Sequence, residues 1–222
     1  MNGMAAPLKV GRMQAGPDEE TILENWLAAL PQGGGAGKLH LRHLATPLGP
    51  LLAGATEAGV VLLEFADPAR LRRQGAALRR HFREAWVAAD HPMLRRLEAE
   101  LADYFAGRRR QFEVPLVFPG TPLQQALWQA LTEIPWGERR SYEQMAAQLG
   151  VPAAVRAVGT CNGLNRLAIL VPCHRLVNKD GRGLGGYGGG LWRKRRLLEL
   201  EGSPPRGRPN VTPSPAGGRG LE

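Results

Sequence analysis

The chain has 222 residues, 43% of them apolar and 22% charged, enough for one or two domains of about 150 residues with a proper core. No apolar run is longer than the five residues of LAILV at 167–171, far short of the ~20 of a membrane-spanning helix, and the N-terminus lacks the apolar stretch of a secretory signal. The net charge of +9 is nearly all arginine and sits mainly in the second half, which suits a nucleic-acid partner, although a genome biased towards Ala, Gly, Pro and Arg would give the same excess.

Residues 1–38 read as an appendage: an amphipathic helix at 18–30, with acids in its first turn, then a flexible linker, QGGGAGK, at 32–38. Residues 39–116 form a block with strands at 39–44, 50–55 and 59–65, separated by the turn signals Pro47-Leu48-Gly49 and Glu57-Ala58-Gly59. Helical patterns follow at 68–82 and 93–105, and a further strand at 112–116. Strands first and helices after predict an α+β domain built on a small antiparallel sheet plus helices.

The second block spans 117–202. Thr121-Pro122-Leu123-Gln124 is a helix start, with Thr as cap, Pro in the first position and Gln placed to reach back; the helix is predicted over 122–134. Ser141-Tyr142-Glu143-Gln144 repeats the device for a helix at 142–149. Gly150-Val151-Pro152 turns the chain into another helix at 152–161, so the pattern is helix-turn-helix, predicting a mainly helical, winged DNA-binding domain. A last helix at 191–201 follows a glycine-rich segment. The tail at 203–222 is Pro- and Gly-rich and predicted to be disordered.

Three features carry chemistry. The second helix of the pair displays Ala, Val, Gly, Thr and one cation, Arg156, so it is poor in base-reading groups; it suits DNA binding by backbone and shape, or a plain helical hairpin. Cys173-His174, after the strand-like run 167–171, places a thiol beside a base, though neighbours on a straight strand point to opposite faces; a buried strand-end Cys is the bland alternative. Residues 181–190 hold seven glycines around Tyr187. They match a dinucleotide fingerprint formally, but no βαβ unit fits, and a loop that must approach something closely is the better reading. Arg193 to Arg196, opposing the dipole of the last helix, point to phosphate contact or to a solvated basic face. The only two cysteines, Cys161 and Cys173, cannot make a disulfide framework and are expected to be free thiols in a reducing cytoplasm.

Ser141-Tyr142, Arg156-Ala157-Val158-Gly159, Asn162-Gly163-x-Asn165, Leu170-Val171-Pro172-Cys173-His174-Arg175, Gly186-Tyr187 and the run 197–202 occur in one order at one set of spacings. Over residues 39–202 the chain resembles the O6-alkylguanine-DNA alkyltransferase (methylated-DNA–protein-cysteine methyltransferase) family. The resemblance implies direct-reversal DNA repair: a monomer that flips O6-alkylguanine out of double-stranded DNA and moves the alkyl group to Cys173, once per molecule. O4-alkylthymine is a further substrate that the resemblance leaves open. By resemblance, Arg156 fills the vacated stack, Tyr142 crowds the phosphate and contacts the base, and Ser141 touches phosphate. His174 is the base acting through a water, Glu201 orients it, and Asn165 braces the turn before the cysteine. Backbone near Leu176, Tyr187 and Gly188 reads the guanine edge. No cofactor is implied, and no metal is expected because the first domain has no cysteine. The remaining positive charge would attract phosphates without regard to sequence.

Three rivals remain. An alkyltransferase-like lesion-binding protein that cannot react would lack the cysteine, which is present here. A helix-turn-helix regulator would need base-reading side chains, and a Cys-His hydrolase an oxyanion hole.

Overall fold

The structure, a computed structural model, describes residues 17–31, 37–83, 85–179 and 183–202. Residues 32–36 of the linker, 181–182 of the glycine-rich segment and the 203–222 tail therefore lie outside the described residues. Among those described, no helix is long and apolar enough to cross a membrane.

Helix α1 (Pro17–Ala28) forms where the sequence pattern puts it, and it is docked rather than detached. Leu23 is fully buried among Leu39, Leu41 and Leu62, and Trp26 meets Trp86 with ring centroids 6.2 Å apart. The strands β1 (Leu39–Leu44), β2 (Leu51–Thr56) and β3 (Gly59–Phe65) then form two antiparallel pairings, Leu44 facing Leu51 and Leu52 facing Glu64.

Helix α2 (Pro68–Arg79) starts at Asp67, whose carboxylate accepts the Arg70 N–H at 2.7 Å, and carries the chain across the sheet. Strand β4 (Trp86–Ala88) then joins β1 in parallel, giving the order β3-β2-β1-β4. The sheet is thus mixed, where the sequence predicted an antiparallel one. A helical crossover is what a parallel pairing requires, and a three-residue strand leaves no periodic signal. Helix α3 (Pro92–Phe105) covers one face. The strand expected at 112–116 does not form. Only Leu116 bridges Val60, because Pro115 and Pro119 supply no N–H for a ladder.

In the second half, α4 (Pro122–Thr132) and α5 (Tyr142–Gln148) both begin with the capping boxes that the sequence announces, Thr121/Gln124 and Ser141/Gln144. Strand β5 (Arg140–Ser141) precedes α5. After Gly150, with φ of 73°, the chain makes a 3-10 turn (Pro152–Ala154) before α6 (Val155–Gly163), instead of one helix over 152–161. Neither Val151 nor Ala154 makes a side-chain cap bond, and Ala154 leaves the helical region at φ −99° and ψ 31°, so the α-helical run begins only at Val155. The α5–turn–α6 pair is the helix-turn-helix. Strand β6 (Leu176–Val177) pairs with β5, and α7 (Leu191–Leu200) closes the fold.

One core cluster runs through both halves, from Val60, Leu63 and Tyr104 to Leu127, Val158, Leu170 and Leu197. The edge strand β3 also pairs its backbone with the segment before Cys173: Leu63 N–H donates to Arg166 O, and Ala168 N–H to Leu63 O, each at 2.8 Å.

Candidate active site

The segment 167–171, expected as a strand, is a turn. Asn165 makes it so. Its Oδ1 accepts the Leu167 N–H at 3.0 Å, and its Nδ2 faces Val171 O and Cys173 Sγ, both at 3.0 Å. A side chain that bonds its own following backbone offers an alternative to a ladder. Ile169 is forced to φ of 71°, a conformation that a β-branched residue adopts only where its surroundings over-determine it. Cys173 then opens a single 3-10 turn, Cys173–Arg175, so Cys173 and His174 do not alternate across a strand.

Both side chains are buried, Cys173 at 6% exposure and His174 at 0%. Burial pushes the thiol up from its ordinary value, against the Asn165 hydrogen bond and the nearby Lys194 and Arg70 charges. The resting group at neutral pH is therefore the thiol, and a base is needed. His174 Nε2 lies 2.9 Å from Glu201 Oε1, while its Nδ1 is buried with no hydrogen-bond partner in the protein. Burial holds His174 below its ordinary value and so neutral at pH 7, the form that can accept a proton.

Glu201, at the end of α7, is held by more than the histidine. Arg175 donates twice, Nε to Oε2 and Nη2 to Oε1, both at 2.9 Å, and Tyr104 Oη–H donates to Oε1 at 2.7 Å. Burial alone would raise this carboxyl, but His174 and Arg175 outweigh it and hold the group well below the usual carboxylate range. The roles of Tyr104 and Arg175 escaped the sequence reading. Arg175 belongs to the quoted motif and was the one findable signal, whereas Tyr104 is the second-last residue of α3, 97 positions before Glu201.

An open pocket of about 470 Å³ lies beside this network, walled by Tyr142, Gly159, Asn178, Tyr187 and Gly188 among others. Tyr142 and Tyr187 are close enough to Cys173 for a charge there to act on their phenols, both raised chiefly by burial. The Tyr187 hydroxyl is buried without a partner, and its ring stands edge-on to His174 at 6.5 Å. Two glycines at or next to this wall approach other side chains closely: a Cβ on Gly188 would lie 2.2 Å from the Arg70 guanidinium, and one on Gly189 2.5 Å from the Phe65 ring.

Arg156 is exposed on the first turn of α6, one turn before Gly159. Ser141 is buried and its hydroxyl accepts the Gln144 N–H at 3.1 Å. Leu176 is buried, does not line the pocket, and its carbonyl accepts from Lys194 Nζ at 2.5 Å.

The basic run of α7 departs from expectation. Lys194 is fully buried, its Nζ also donating to Gly186 O at 3.2 Å, and burial lowers its pKa to about 8. Arg193 is buried as well, and Arg196 pairs with Glu199 at 3.1 Å. Arg193 and Lys194 thus bind loop carbonyls inside the protein and are not available to phosphate; the tertiary fold turned these two inward.

Residues 39–118 match the family described as 6-O-methylguanine DNA methyltransferase, ribonuclease-like domain, and residues 122–203 match its DNA binding domain. The methylated-DNA–protein-cysteine methyltransferase of Mycobacterium bovis is 45% identical over 166 residues, 74% of this chain and 93% of the relative; that of Mycobacterium leprae is 40% identical over 167. Among solved structures, Mycobacterium tuberculosis OGT in complex with DNA superposes with a TM-score of 0.63 at 40% identity, covering 75% of this chain and 96% of that one. The O6-methylguanine-DNA methyltransferase of Pyrococcus kodakaraensis superposes with a TM-score of 0.53 at 25% identity, covering 74% of this chain and 99% of that one. Matched in order over both halves, with its relatives covered almost end to end, this chain belongs to the O6-alkylguanine-DNA alkyltransferase (methylated-DNA–protein-cysteine methyltransferase) family and repairs DNA by alkyl transfer.

Proposed function

We propose that this protein, a cytoplasmic monomer, binds double-stranded DNA containing O6-alkylguanine, flips the damaged base into the pocket beside Tyr142 and Tyr187, and moves the alkyl group to Cys173 Sγ. The carrying observation is the buried series Cys173, His174, Glu201, with Glu201 fixed by Arg175 and Tyr104. DNA as partner is supported by the relative whose structure was solved in complex with DNA.

In this mechanism the thiol proton passes through one water to the free Nδ1 of His174. The sulfur then attacks the alkyl carbon: an S–C bond forms as the C–O bond breaks, and guanine leaves as its anion, which takes up a proton at N1. Glu201 offsets the charge on the imidazolium. Asn165 keeps the thiol on the pocket side. Arg156 occupies the space left in the stack, Ser141 lies along the backbone, and the chain around Leu176, Tyr187 and Gly188 reads the base edge. The thioether is permanent, so each molecule acts once.

The test is intact-mass analysis after incubation with O6-benzylguanine. One benzyl adduct on Cys173, absent in Cys173→Ala, is the expected result. An unmodified protein that still binds alkylated duplex would mean a lesion-binding protein without chemistry.

A further inference from the structure

Helix α1 lies ahead of residue 39, outside both family matches, yet one ion pair ties it to Arg193 of α7, which also holds Gly189 beside the pocket wall. Arg193 is 6% exposed and spends its guanidinium on three separate parts of the chain. Its Nη2 donates to both carboxylate oxygens of Glu19 on α1, at 2.8 and 3.0 Å. Its Nη1 donates to Gly189 O at 3.0 Å, and its Nε to Leu48 O, in the β1–β2 turn, at 2.7 Å. The guanidinium also packs over the Phe65 ring, 4.3 Å from its centroid, the same ring that Gly189 approaches too closely for a Cβ.

We propose that α1 is a brace for the glycine wall of the pocket, with Glu19 as a positioning residue acting through Arg193. Glu19 is the only carboxylate paired with Arg193 among the described residues. A buried cation stripped of its counter-charge turns towards water, and the bond to Gly189 O goes with it. Gly189 adjoins Gly188 and Tyr187, which wall the pocket, whereas none of the Cys173, His174 and Glu201 hydrogen bonds involves α1. The seat of α1 is independent of the ion pair, since Leu23 and Trp26 dock it by apolar contact. Loss of Glu19 should therefore loosen base binding and spare the chemical step.

This role for Glu19 rests on the reaction proposed above, and one experiment separates the two. Labelling of Cys173 is followed at increasing O6-benzylguanine concentration in the full chain, in Glu19→Gln and in Glu19→Asp. The half-saturating concentration is expected to rise about three- to tenfold in Glu19→Gln, with the limiting rate unchanged, and to return most of the way in Glu19→Asp. Leu23→Ala, which loosens α1 by an apolar route, should shift the same constant in the same direction. An unchanged half-saturating concentration in Glu19→Gln, or a fall in the limiting rate alone, overturns the brace. Absence of labelling in the unaltered chain overturns the reaction instead.

Discussion

At Glu201, four donor atoms from His174, Arg175 and Tyr104 converge on one buried carboxylate, which makes a charge tolerable where water is excluded. The same arrangement sets a pH dependence. The folded state holds His174 below the ordinary 6.5 and Glu201 below 4.5, so the unfolded chain binds more protons as acid is added. Both groups thus contribute stability that is fully present above pH 6.5 and is lost as pH falls through 6.5, then 4.5, towards the folded values. The melting temperature should drop steadily between pH 6.5 and 4, measured by thermal denaturation. A flat profile would mean that neither group is perturbed in the folded state. The Cys-His adjacency was legible in the sequence; its carboxylate partner was known only from resemblance, because residue 201 lies 27 positions from His174 with no local pattern joining them.

Among the elements, the helix-turn-helix was the most readable. The capping box at Ser141/Gln144 and the Gly-Val-Pro turn are local signals, and the structure keeps that cap. The late start of α6 was not legible, since it depends on the backbone of Ala154. Exposed Arg156 on that first turn tests what the element is for. If it stabilises the flipped state, Arg156→Ala should slow repair of duplex DNA about tenfold, that is, half of a flipping cost of a few kcal/mol, while labelling by free O6-benzylguanine stays within about twofold. An equal fall in both assays would make Arg156 a structural residue. The run 167–171 shows the opposite case: its apolar composition reads as a strand, and one buried Asn165 side chain bends it into a turn.

On the scale of the whole molecule, the two domains are joined by polar contacts as well as by a shared core. Arg70 on α2 pairs with buried Glu64 at 2.6 Å and donates to Gly163 O and Asn165 O, each at 3.2 Å; Gln74 adds a bond to Asn165 O at 3.3 Å. Burial pushes the Glu64 carboxyl up, and Arg70 is the main influence opposing it. Glu64→Ala would leave a cation at the domain junction with no counter-charge. It should lower stability by about 3 kcal/mol, read as a lower urea midpoint. A single transition seen by both fluorescence and circular dichroism is expected, since the halves share their core; two separated transitions would show that they unfold independently.

The sequence by itself determined what local chemistry determines: the caps, the three antiparallel strands and the helices that follow them, and a Pro-Cys-His-Arg motif whose chemistry the family resemblance supplied. Its charge of +9 pointed towards nucleic acid, yet Arg70, Arg175, Arg193 and Lys194 serve the interior, holding carboxylates and loop carbonyls. Only the tertiary structure decided which cations turned inward. It alone joined Tyr104 to Glu201 across 97 residues and Glu19 to Arg193 across 174. Contacts at such separations arise from how packed elements meet, and that meeting is fixed by burial over the whole core rather than by any pattern in the neighbouring residues.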